Sequence, residues 1–132
     1  MFLHELTELQ KETFICLAHD IIVSDGILRA DEKFMMEQLH REIGLSNDFE
    51  PHYITLAGID SIFDTRSARI SVLINLIRLA YADGAFEIEE RFLLAEICKL
   101  FSIDNQLFAL TENWVRRLIA LEKEARTLME SR

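Results

Sequence analysis

The feature that most constrains this chain is a doubled element. "VSDGILRADEKF" (residues 23–34) and "YADGAFEIEERF" (residues 81–92) both carry Asp-Gly, then Glu-[Lys/Arg]-Phe beginning six residues after the Gly. At an offset of 58, residues 14–47 lie on 72–105 without a gap. Asp25/Asp83, Gly26/Gly84, Glu32/Glu90, Phe34/Phe92 and Asn47/Asn105 are identical. Ile21/Leu79, Leu28/Phe86, Lys33/Arg91, Met35/Leu93, Met36/Leu94, Leu39/Ile97, Ile43/Phe101 and Leu45/Ile103 are alike in chemistry. Each copy reads as a helix–loop–helix hairpin with one apolar face, which it cannot bury alone. Two such hairpins packed face to face share a core. The expectation is an all-α helical bundle: two pseudo-repeated hairpins (about 14–47 and 72–105), linking helices and a long C-terminal helix. Residues 1–132 form one domain on this reading.

Composition agrees with helix. The 132 residues include one Pro and four Gly, and half are hydrophobic. Mean hydropathy of +0.11 is high for a chain with 28% charged residues, so an extensive interior is implied. With 14 Lys+Arg against 23 Asp+Glu, the net charge is −9. Such a surface repels phosphate backbones and anionic lipid, which disfavours nucleic-acid binding and membrane contact. Cations and basic protein surfaces are its electrostatic complements. Cys16 and Cys98 lie in apolar helical runs without CxxC spacing, as buried small hydrophobes of a reducing compartment do. "MFLHELTELQKETF" lacks the basic start of a signal peptide, and Asn75 and Arg78 break the longest apolar stretch, "ISVLINLIRLAYA". A cytoplasmic protein is expected.

Periodicity places the helices. Leu6, Leu9, Phe14, Leu17, Ala18 and Ile21 stripe a first helix that ends near Ser24. A second, about 30–43, turns Phe34, Met35, Leu39 and Ile43 inward and stops at Gly44 as a C-cap. Residues 44–65 hold one or two short helices, with Pro51 in a first turn. The run from about 66 to 82 is apolar on nearly every side, the mark of a central helix. Further helices cover about 88–101 and 105–130. In the last, Leu107, Trp114, Leu121 and Leu128 stand seven apart. This stripe packs on the chain's own core, while the tail beyond about Lys123 projects and offers residues 105–130 for pairing in a homodimer.

Two readings of the doubled element stand side by side. In the structural one, Gly26 and Gly84 turn the corner and Leu28 and Phe86 plug the core. Glu32 and Glu90 then fall near the third position of the next helix, where carboxylates accept free backbone N–H groups. Asp25 and Asp83 bond loop amides. In the metal reading, the same residues match the back half of an EF-hand loop: Asp at position 5, Gly at 6, an apolar residue at 8 and Glu at 12. Positions 1 and 3 are Ile21 and Val23, or Leu79 and Tyr81, so neither loop forms a complete calcium site alone. A hard cation then needs carboxylates from both loops or water in the open positions.

"SDGILRADEKF" and "YADGAFEIEERF", each between apolar helices, resemble the TerB family, which includes the N-terminal part of the DjlA co-chaperones. The resemblance covers about residues 10–125 and rests on the doubled helix–DG–x5–E–helix element. It implies an all-helical, non-enzymatic module of stress-response assemblies at the inner membrane face. It also implies a divalent cation (Ca²⁺, Mg²⁺ or Mn²⁺) at acidic loop residues, here Asp25, Glu32, Asp83 and Glu90. Protein partners follow, with the membrane reached only through one of them. Arg29 and Ser24 depart from the family pattern, where a small or acidic cap and an Ala are usual.

Elsewhere the sequence offers little chemistry. His4, His19, His40 and His52 are scattered, although His19 could approach an ion at the first loop. Cys16 and His19 are within reach at i,i+3 but lack an orienting third group. No P-loop, GxGxxG, GxSxG or HExxH occurs, and no enzyme is expected. Asn75 is expected to bond a neighbouring backbone group or another polar side chain inside the central helix, and Arg78 to pair with a carboxylate of the opposing loop.

Overall fold

The longest apolar run of the chain falls mainly in helix α4, Arg66–Ala80. Its Val72, Leu73, Leu76, Ile77 and Leu79 are buried on several sides at once, so the helix lies inside the bundle. The computed structural model describes residues 1–22, 30–45, 49–81 and 88–130, and every regular element there is helical. A single 3₁₀ turn (Leu3–Glu5) precedes α1 (Glu8–Ile22) and α2 (Ala30–Ile43). The short α3 (Ile59–Ile62) leads into α4, followed by α5 (Ile88–Leu100) and α6 (Asn105–Glu130). α1 packs against α2, α4 and α5, and α4 also packs against α5 and α6. The expected all-α bundle is therefore present.

Helix starts are set by local side-chain acceptors. Thr7 Oγ1 accepts from Gln10 N–H at 3.2 Å while Gln10 Oε1 accepts from Thr7 N–H at 3.0 Å. This reciprocal box satisfies two groups that a helix end leaves open. Thr65 Oγ1 caps α4 through Ala68 N–H, and Asp104 Oδ1 caps α6 through Leu107 N–H. At the other end of α2, Gly44 has φ +77° and donates to His40 O, as its C-cap role requires.

Inside, Phe63 and Phe101 meet edge to face at 5.8 Å. Arg69 lies over the Phe101 ring and donates to the carbonyls of Phe63 (2.6 Å), Asp60 (2.8 Å) and Phe101 (3.2 Å). One guanidinium thus ties α3 and the end of α5 to α4. Asn75 Nδ2 donates to Ser71 O and Met1 O, the backbone role expected of a polar residue in this helix.

Four expectations change. Phe34 is 57% exposed rather than inward. The buried line of α2 runs Glu32, Leu39, Ile43, and Phe34 stands about 200° round the helix from Glu32. Once the carboxylate takes the inner face, the ring must leave it. Leu9 is also exposed, because Leu3 and Leu6 fill that end of the core. Pro51 stands in an irregular segment, residues 49–56, whose Ile54 N–H is taken by a side chain of α1 instead of a helical carbonyl. Arg78 pairs with Glu122 of α6 at 2.7 Å, not with a loop carboxylate. Along α6, Leu107 and Trp114 are partly buried against the core, whereas Leu121, Leu128 and every residue from Lys123 to Glu130 are exposed.

Candidate functional site

Helix α1 is buried along almost the whole of its second half, Thr13–Ala18 and Asp20–Ile22. That leaves a carboxylate, Asp20, inside the protein at 7% exposure. Its Oδ2 accepts from Ile54 N–H at 3.4 Å. Its Oδ1 lies 3.6 Å from His19 Nδ1 and has no hydrogen-bond partner among the described residues. Burial pushes the Asp20 carboxyl above its ordinary value, opposed by the Ile54 N–H bond and by His19.

One turn earlier, Cys16 Sγ lies 3.8 Å from His52 Nδ1, and the His52 ring packs against Phe49 at 6.2 Å. Cys16 and Asp20, at i and i+4 on one face, therefore fasten the segment 49–56 across α1. Neither thiol is poised for chemistry. Burial raises the Cys16 pKa, and that of Cys98 is pushed up to about 11, the reverse of an activated nucleophile. The Cys16–His19 pair considered from sequence is replaced by a contact with a histidine 36 residues away.

Between that segment and α5 opens a cavity of about 510 Å³. Tyr53, Ile54 and Leu56 form one wall, Ile88, Phe92 and Leu93 the other, and Asp20 and Glu89 supply carboxylates. Tyr53 is 83% exposed, Ile88 82% and Phe92 69%, so large apolar surfaces frame the opening. Sequence reasoning missed this groove. The segment that covers Asp20 lacks periodicity, so nothing in the sequence joins it to α1.

The residues proposed for metal divide. Glu32 and Glu90 are each 4% exposed, and each is the third residue of its helix, α2 and α5. Asp25 and Asp83 lie outside the described residues. Among the described residues, no three His, Cys, Asp or Glu side chains are grouped to hold a metal ion. A hard cation takes about six to eight oxygens, of which each copy shows one buried carboxylate here. Also among the described residues, no helix is long and apolar enough to cross a membrane.

The family model described as Tellurite resistance protein TerB matches residues 53–113. This stretch is similar to TerB. It runs from Tyr53 at the groove through α3, α4 and the second Asp-Gly element to the middle of α6. The TerB match thus contains Asp83 and Glu90, and all of the groove's lining except Asp20. No curated protein and no solved structure matches the chain.

Proposed function

We propose that this chain is a non-enzymatic TerB-family docking module of the cytoplasm, reaching the inner membrane only through a partner. Its groove takes an apolar segment of a partner protein that carries a basic side chain. The observation that carries this reading is the buried Asp20 carboxylate at the foot of an apolar groove. Aliphatic side chains of the partner lie on Ile88, Phe92 and Tyr53, and a Lys or Arg head reaches Asp20 Oδ1. A cation there offsets the desolvation of the carboxylate. The chain's net charge of −9 draws in the same kind of segment from a distance. Peptides selected against the protein from a random display library are expected to combine aliphatic residues with Lys or Arg. Their binding should be lost in Ile88→Ser with Phe92→Ser and weakened in Asp20→Asn. Acidic peptides, or binding indifferent to those changes, would refute the assignment.

The same module holds a divalent cation (Ca²⁺, Mg²⁺ or Mn²⁺) weakly through Asp83 and Glu90, and through Asp25 and Glu32. A buried carboxylate at the matching place of both copies, Glu32 and Glu90, supports this, since carboxylate oxygens are the ligands such ions take. Their shared third position favours a second reading, in which they serve as helix caps only. Calorimetry with the three ions on wild type and on Asp83→Asn with Glu90→Gln separates the two. Saturable binding that the variant loses supports the cation. Absence of binding up to millimolar ion leaves the caps, whose loss should cost about 0.5–2 kcal/mol each. Exposed Leu121, Leu128 and Met129 on distal α6 provide the surface for a homodimer, which light scattering at rising concentration tests.

A further inference from the structure

Basic side chains are scarce in this chain, 14 against 23 acidic ones, yet four of them line one region between α2, α4 and α6. A cavity of about 400 Å³ is lined by Arg41, Arg78 and Arg126, with the Gln38 amide beside them. An adjoining cavity of about 280 Å³ shares Arg78 and Arg126 and adds Lys123. The carboxylates present are already engaged. Glu42 is paired with the Met1 ammonium, and Glu122 with Arg78 at 2.7 Å. Arg41, Lys123 and Arg126 have no ion pair or hydrogen bond among the described residues.

We propose that this groove binds a small, multiply charged anion of the phosphate class, such as a diphosphate or a phosphate monoester. Gathered cations that outnumber the carboxylates beside them repel one another, and an anion of two or more charges relieves that repulsion at several of them together. Guanidinium forks present paired N–H donors at the spacing of phosphate oxygens, which a single-point ammonium does not. A volume of about 400 Å³ lies within the range of small-molecule sites. Met35, Leu39 and Leu79 in the wall give an attached organic group an apolar surface. The site is independent of the Asp20 groove and opposite to it in charge.

Calorimetric titration of the full chain with inorganic pyrophosphate, ADP and sulfate at low ionic strength tests the assignment. Pyrophosphate and ADP should bind saturably, and more weakly as salt is added. Arg41→Gln with Arg126→Gln should weaken binding at least about tenfold. Both residues are exposed, and circular dichroism verifies that the variant keeps its helices. Arg66→Gln with Arg117→Gln, also exposed and lining neither cavity, should leave affinity unchanged. Absence of saturable binding up to millimolar pyrophosphate, equal losses in the two double variants, or equal affinity for sulfate would each overturn it. ADP binding without pyrophosphate binding would also overturn it, because the contacts would then lie with the nucleoside.

Discussion

At the offset that aligns the two hairpins, Asp20 of α1 falls on Arg78 of α4. Both stand near the end of the first helix of their hairpin, and both line a groove. Asp20 lies at the foot of an apolar cleft between the 53–56 segment and α5. Arg78 lies in a polar cleft between α2, α4 and α6. Around these two positions the copies behave alike. Leu39 and Ile97, Ile43 and Phe101, and Leu45 and Ile103 are buried, while Phe34 and Phe92 are exposed. These paired positions contribute to the core alike, and the pair Asp20 and Arg78 lines two grooves of opposite charge. Core positions are alike because the helices of both copies bury an apolar face in the shared interior. Groove positions are free to diverge because their surroundings come from unrelated segments.

The largest effects should come from breaking the shared core. Phe14→Ala and Phe101→Ala each remove a ring that is 0% or 2% exposed, at a cost of about 3–5 kcal/mol in urea unfolding. A cost under about 1 kcal/mol for either one would show that the hairpins do not contribute equally.

Next comes Arg69→Ala, which deletes three charge-assisted bonds to backbone carbonyls and should cost about 2–4 kcal/mol. Lys11 is its counterpart at the same offset and, among the described residues, forms an ion pair with Glu8 at 3.9 Å. Lys11→Ala should fall within about 0.5 kcal/mol of wild type. Equal losses at the two positions would remove the clamp as a distinction of the second hairpin.

A pH series sharpens the contrast between Asp20 and Arg78. Burial holds the Asp20 carboxyl above its ordinary 3.8, so the native state keeps a proton that the unfolded chain releases. The stability contributed by that proton is complete below about 3.8 and is lost as pH rises through the raised native value. Asp20→Asn should flatten the stability profile over that window, measured by thermal melts from acid to neutral pH. Arg78→Gln should alter the profile less, because the guanidinium itself stays charged throughout.

The smallest effect concerns the corners after α2 and α5. Gly44 has φ +77°, and its counterpart Ser102 holds the same left-handed region at φ +60°. Ser102→Gly should stabilise by about 0.5–1 kcal/mol, and Gly44→Ala should destabilise by about 1–2 kcal/mol. A Ser102→Gly variant less stable than wild type would mean that the hydroxyl contributes more than the backbone strain costs.

Much of the fold was legible because helices announce themselves locally. α5 and α6 lie within a residue of the ranges that periodicity marks, and Gly44 ends α2 as a left-handed cap should. Glu32 and Glu90 could be placed at the third helical position by counting from the Gly. Phe34 departs from its expected inward place because Glu32, two residues before it, occupies the inner face. Pro51 was misplaced because the 49–56 segment takes its shape from Asp20 and Cys16, more than 30 residues earlier.

By itself the sequence determined an all-helical chain, its central helix and a TerB resemblance carried by the doubled Asp-Gly element. These follow from spacing, capping residues and apolar periodicity, which act within a few turns of one helix. Only the tertiary structure decided that Asp20 ends beneath an apolar groove, that Arg69 clamps three carbonyls, and that Arg41, Arg78, Lys123 and Arg126 line two adjoining cavities. Those residues lie on helices distant in the sequence, and side-chain packing across the bundle sets which of them meet.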